Sequence, residues 1–305
     1  MSRPRSPASP EAGRSISGYY LLARPDSAAT GSDRAILVSW RSALTTVFVE
    51  RRVPWRLEQW LSRRAAVQTL RERRLARWDR ALYRPHIRPG DLVFDVGANR
   101  GDKTAIFVAL GARVLAIEPD ARTAAALRLR FARESHVQVL AAGIGATTGE
   151  MLFHPSPHPT RSTFAVDRMR QLGDGDLIAW GPGVRVPIST LDALIATHGV
   201  PRFCKIDVEG YEPEVFRGLS QPLPALSFEF HGELLDDAAG CIETLGRLGM
   251  NHFNVVLHPS GRYRHQKLNR LYLPTHVSGT DLIATLRSIA AHHALAGDVW
   301  AFSEK

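Results

Sequence analysis

From residue 89 onward the sequence alternates short apolar runs with helical stretches, and this alternation constrains the fold more than any other feature. Pro89-Gly90 marks a turn, and Leu92-Val93-Phe94-Asp95-Val96 follows as a run rich in branched and aromatic residues, the signature of a buried strand. Gly97 to Asp102 reads as a tight loop and Lys103 to Leu110 as a helix closed by Gly111. A second strand, Arg113 to Ile117, ends in Glu118-Pro119-Asp120, followed by a helix over 121–134 and a strand at Val137 to Leu140. Two further strands, Phe203 to Val208 and Ala225 to Phe230, each follow a helical stretch, 190–199 and 212–219. After a helix over 233–248, Phe253 to Leu257 and Asp298 to Phe302 read as the last two strands, with a helix over 281–296 between them. Strands and helices in this order imply parallel strands joined by right-handed crossovers. The expected fold is a doubly wound α/β domain over 89–305, Rossmann-like, with seven strands.

Composition agrees with one large globular domain. The chain has 305 residues, 44% hydrophobic and 23% charged, which excludes collagen, coiled coil and wholesale disorder. Only Cys204 and Cys241 are present, and in apolar surroundings they read as reduced thiols rather than a disulfide framework. No run approaches the roughly 18 apolar residues of a membrane-spanning helix. The opening MSRPRSPASP lacks the apolar core of a secretory signal, so the expected location is cytoplasmic.

The formal charge of +9 is concentrated in one place. Residues 51–88 hold twelve arginines against Glu58, Glu72 and Asp79, which accounts for the whole excess. Leu57, Trp60, Leu61, Val67, Leu70, Leu75, Trp78 and Leu82 recur there at mostly three- and four-residue steps, predicting amphipathic helices that lie on the main domain. A basic face for nucleic acid is the competing reading, without stacking aromatics or zinc spacing to support it. Residues 1–50 read as a mostly disordered tail.

The loop after the first strand is expected to take a small polar ligand, because a glycine turn lets backbone approach closely and a helix N-terminus offers free N–H groups. Dinucleotide binding would require G-x-G-x-x-G, but Asn99 and Asp102 replace the second and third glycines, and no Gly-Lys-Ser/Thr is present for a phosphate loop. Glu118 stands 21 positions after Gly97, where a carboxylate accepts hydrogen bonds from ribose hydroxyls. A nucleoside without phosphates fits best. S-adenosylmethionine is such a ligand, with Asp95 suited to its ammonium group. A dinucleotide site and a purely structural loop remain the alternatives.

VFDVGANRGDKTAIFVALGARVLAIEPD (93–120), STLDALIATHGVPRFCKIDVEGYEPEVFRGL (189–219) and LSFEF (226–230) together resemble the FkbM family of S-adenosylmethionine-dependent methyltransferases. The resemblance covers 89–305. It implies a class I methyltransferase fold and O-methylation of a hydroxyl on a sugar or small secondary metabolite. It also implies that Asp95, Gly97, Asn99 and Gly101 hold the methionine part of the donor and Glu118 its ribose, with Ala141 and Ala142 near the adenine.

Acceptor chemistry is expected at the carboxyl ends of the strands. A period of two places Lys205, Asp207 and Glu209 on one face of the fourth strand, and Glu229 and His231 together on the fifth. Asp207, Glu209 or His231 is the expected proton acceptor, and Lys205 an internal ion-pair partner. Arg161 and Ser162, in Thr160-Arg161-Ser162-Thr163, and Glu229 are the expected acceptor contacts. No third carboxylate shows a readable spacing, and the histidine pairs are badly placed for zinc, so no metal is expected. An RNA methyltransferase using residues 51–88, and a binding module that keeps only the donor site, are the competing functions.

Overall fold

The computed structural model describes residues 77–156, 162–165, 182–257, 276–291 and 295–303. The expected tail, the arginine-rich stretch up to residue 76, and Arg161 lie outside the described residues. In chain order the strands are β1 (Leu92–Val96), β2 (Arg113–Ile117), β3 (Val137–Leu140), β4 (Gly143–Ile144), β5 (Gly149–Phe153), β6 (Val184–Ser189), β7 (Phe203–Ile206), β8 (Ala225–His231), β9 (His252–Leu257) and β10 (Ala296–Phe302). The helices between them are α1 (Asp102–Ala109), α2 (Ala121–Arg130), α3 (Leu191–His198), α4 (Glu212–Arg217), α5 (Leu235–Arg247) and α6 (Gly279–Ala290).

Seven strands form one sheet in the order β3-β2-β1-β7-β8-β10-β9. The strands from β3 to β8 in that order run parallel, while β10 is antiparallel to both β8 and β9. The apolar runs are strands because helices cover both faces of a parallel sheet, so neither face can be polar. Phe94, Val96, Cys204, Ile206 and Phe228 pack into one core layer, and Val93, Phe107, Phe203 and Trp300 into the other. Tyr83, at the end of a helical stretch over 77–83, belongs to the second layer, edge-on to Phe107 with ring centroids 4.9 Å apart. The last part of the arginine-rich segment therefore packs on the main domain. Both cysteines are buried and free.

The structure departs from the sequence reading in three places. The expected helix over 281–296 stops at Ala290, because from Ala296 onward the backbone pairs with β8, starting at His231. The connection after β3 holds a small second sheet, β4-β6-β5, which was not expected. Finally, β7 ends at Ile206, two residues early, as the chain turns through Glu209 at a left-handed φ of 55°. Among the described residues no helix is long and apolar enough to cross a membrane.

Candidate functional site

The strand order reverses between β1 and β7, and at such a point the two adjacent crossovers leave to opposite faces and open a crevice beyond the strand ends. Backbone packing there is close. The Asp207 N–H donates to the Val96 carbonyl at 3.0 Å. Gly97 follows at φ +79°, and a Cβ on it would lie 1.8 Å from the Asp207 carbonyl oxygen, so only glycine fits. The N–H groups of Gly97 and Ala98 both donate to the Ile117 carbonyl, each at 2.9 Å, tying the turn to the end of β2.

Glu118 completes this corner. Its Oε2 accepts from the Asn99 N–H and its Oε1 from the Asp120 N–H, both at 2.9 Å. It is 6% exposed, and burial pushes its carboxyl up to about 7 despite those two hydrogen bonds. The side-chain Oδ1 of Asn99 is buried with no hydrogen-bond partner. Gly97, Asn99, Glu118, Ala142, Ser162, Asp207 and Glu209 all border one cleft that opens to solvent.

Three residues expected at the donor, Asp95, Gly101 and Ala141, do not border it. Asp95 is 1% exposed, and its Oδ2 accepts the Thr104 hydroxyl of α1 beneath the loop. Gly101 caps α1 at φ +80°, where a Cβ would strike Leu127 and Phe131, so its task is to seat α2 under the turn. Among the described residues Asn99 and Glu209 are the two non-glycine residues at positive φ. Both line the cleft, where backbone strain of this kind tends to concentrate.

The opposite wall is acidic. Lys205 is 2% exposed, and its Nζ donates to Asp207 Oδ2 at 2.7 Å. Burial alone would raise the Asp207 carboxyl, but the Lys205 ammonium outweighs it and holds the group below the usual carboxylate range. The Glu209 carbonyl accepts the hydroxyl of Thr163 at 2.9 Å, and Thr163 is almost wholly buried. This grip fixes the 162–165 segment over the cleft; Phe164 is seated there between Phe153 and Tyr211.

Glu229 and His231 lie on the same side of β8, beside a smaller cleft next to the first. His231 Nε2 stands 3.6 Å from Glu229 Oε2, a charge pair too long for a hydrogen bond. Burial lowers the imidazole, yet Glu229 raises it further, to about 9. The turn at Glu209 swings its carboxylate toward this pair, so that one ligand atom each from Glu209, Glu229 and His231 lie within 4.8 Å of one another. Strand periodicity did not show this, because Glu209 is placed by a left-handed turn and not by a strand.

A sheet that reverses between β1 and β7, with a glycine turn and a carboxylate at the next strand end, defines a class I methyltransferase fold. The chain belongs to the FkbM methyltransferase family: the methyltransferase FkbM domain matches residues 95–247. It is similar to the hexuronic acid methyltransferase AglP of Haloferax volcanii, 29% identical over 143 residues that make up 45% of this chain and 54% of that protein. The chain thus spans about half the length of this curated relative. Similar solved structures include a precorrin-6y C5,15-methyltransferase from Geobacter metallireducens, 11% identical at a TM-score of 0.37, covering 73% of this chain and 88% of that one. An S-adenosylmethionine-dependent O-methyltransferase from Thermotoga maritima is 11% identical at a TM-score of 0.35, covering 74% and 65%.

Proposed function

We propose that this protein transfers a methyl group from S-adenosylmethionine to a hydroxyl of a sugar or glycan. The observation that carries the reading is a single cleft bordered on one side by Gly97, Asn99 and Glu118 and on the other by Asp207 and Glu209. The residues present fit the donor. The site has a buried acceptor atom without a partner, Asn99 Oδ1, beside the tight turn at Gly97. Glu118 would hold the ribose hydroxyls, Ala142 would lie against the adenine, and Gly97 and Asn99 would hold the methionine end.

When bound, the donor supplies a methyl group on a positively charged sulfur. The chain's own contribution is mainly placement: holding two reactants in line is worth roughly 7–11 kcal/mol, whereas a positioned base adds about 10² to 10⁴ in rate. Asp207, kept ionised by Lys205 at the cleft wall, receives the acceptor's hydroxyl proton; Glu209 and His231 are both pushed toward their protonated forms and are set aside as bases. Thr163 and Phe164 close the wall against water, and Ser162 and Glu229 are placed to meet the acceptor. The sugar acceptor named for AglP supports a glycan here.

Incubation with methyl-labelled donor and a panel of sugars and glycans tests the reading. Label is expected in a base-stable methyl ether. A base-labile ester would move the transfer to a carboxylate, and no label on any sugar would reject this acceptor class. Asp207→Asn is expected to slow turnover by about 10² or more with donor affinity within a few-fold; unchanged turnover would remove Asp207 from the mechanism.

Glu118 makes a pH-dependent prediction. Its carboxyl, raised from 4.5 to about 7, is largely protonated at pH 6, and ribose hydroxyls need the ionised acceptor. Donor affinity is therefore expected to rise as pH passes upward through 7 and to level off above it. Glu118→Gln should flatten that profile and weaken binding by about ten- to hundredfold, the worth of hydrogen bonds to a charged group. The sign for stability is opposite. A raised carboxyl favours the fold below about 4.5, and that contribution is lost as pH rises through 7. Calorimetry and thermal unfolding between pH 5 and 8 read the two effects separately.

A further inference from the structure

We infer that Glu209, Glu229 and His231 form a binding site for one divalent metal ion of the manganese or zinc type, at the junction of the two clefts. The three groups converge from different elements. Glu229 and His231 are alternate residues on one side of β8, and Glu209 reaches them from the left-handed turn after β7. One ligand atom from each lies within 4.8 Å of the others. A metal at the usual 2.0 to 2.2 Å from nitrogen and oxygen ligands needs only small side-chain movements to engage all three.

A second observation points to a missing partner. His231 Nε2 is itself buried and makes no hydrogen bond, and the Glu229 oxygen beside it is 3.6 Å away. The surrounding charge is unbalanced in the same sense. Asp207, Glu209 and Glu229 stand close together, and the Lys205 ammonium is already engaged by Asp207 at 2.7 Å. Glu209 and Glu229 thus repel each other and Asp207 across a partly buried site, a repulsion that a bound cation would relieve. Two carboxylates with one imidazole suit manganese or zinc better than calcium or magnesium, which take oxygen almost exclusively. Three protein ligands leave coordination positions open. Because Glu209 also lines the donor-side cleft, an ion here would hold an acceptor oxygen at that cleft's edge, a role that rests on the transferase reading above.

The test uses neither donor nor acceptor, so its outcome is independent of that reading. Chelator-stripped full-length protein is titrated with Mn²⁺, followed by calorimetry and by the electron paramagnetic resonance signal of free Mn²⁺, and then with Zn²⁺. One ion per chain is expected, with affinity at least about tenfold weaker in Glu229→Gln and in His231→Ala, each of which loses one of three ligands. Glu150→Gln, on exposed β5 away from the site, should bind as the parent does. Thermal unfolding checks that the variants are folded. Glu229→Gln is nearly isosteric and decides the matter if His231→Ala fails to fold. Absence of binding by either ion at millimolar concentration, or binding that Glu229→Gln leaves intact, overturns the proposal.

Discussion

Gly97→Ala is expected to weaken donor binding by at least a hundredfold and to lower stability by about 2–5 kcal/mol, combining left-handed strain with overpacking. The added Cβ would lie 1.8 Å from the Asp207 carbonyl oxygen. Backbone meets backbone there, so no side-chain rotation relieves the overlap, and β1 must separate from the turn after β7. That movement removes the Asp207 to Val96 hydrogen bond and the two bonds from Gly97 and Ala98 to Ile117. These contacts position Asn99 against Glu118, so the corner at Glu118 opens as well. Gly90→Ala is the matched control. Gly90 has a similar φ of +88° but nothing within 4 Å of its added Cβ. It should show only the left-handed strain, about 1–2 kcal/mol, and no loss of donor affinity. Calorimetric titration with the donor and its demethylated product, alongside thermal unfolding, measures both. Wild-type donor affinity in Gly97→Ala would remove the turn from the donor site.

The parts of this fold that are legible in the sequence are those where burial is two-sided. β1 and β7 read as strands because almost every residue in them must be apolar, and the exceptions, Asp95 and Lys205, are neighbours in register. The small second sheet was not legible. β4 has two residues, and β5 leaves Gly149, Glu150 and Leu152 exposed, so neither presents a continuous apolar run. The overrun of the last helix has a similar cause, because Ala291, Ala294 and Leu295 are good helix formers and the strand at Ala296 is decided by pairing with β8.

At the cleft, local spacing shows which residues stand at the strand ends but not which distant residues meet them. Gly97 and Glu118 follow from strand-turn-helix grammar, since both positions are fixed by the strand ends that carry them. Asp95 illustrates the limit of that grammar: it sits one residue before the end of β1, and it meets Thr104 under the loop instead of the ligand side. Thr163, 46 residues from Glu209, grips its carbonyl through a contact that only the folded chain reveals. The convergence of Glu209 with Glu229 and His231 is of the same kind.

Lys205→Met is expected to lower stability by about 3–5 kcal/mol, the usual cost of removing one partner from a buried ion pair. For a domain of this size that is a fall of on the order of 10 °C in the melting temperature. The reason is what remains. Burial by itself would lower the Lys205 ammonium, yet Asp207, Asp298 and Asp95 together raise it well above its ordinary value. Asp95 and Asp298 are 1% and 5% exposed, so neither can turn to water once the cation is gone. Asp207, about a third exposed on its side chain, can do so in part. The double variant Lys205→Met with Asp207→Asn should therefore recover only part of the loss, because the buried Asp95 still loses its neighbouring cation. The pH dependence follows from the same pair. The Asp207 carboxyl is depressed in the fold, so its contribution is present above its ordinary value of 3.8 and disappears as pH falls through the depressed one. In Lys205→Met that acid-side loss should vanish, and unfolding curves between pH 2 and 7 for the parent and both variants measure it. If Lys205→Met melts within 2 °C of the parent, Lys205 is not what holds this charged centre together.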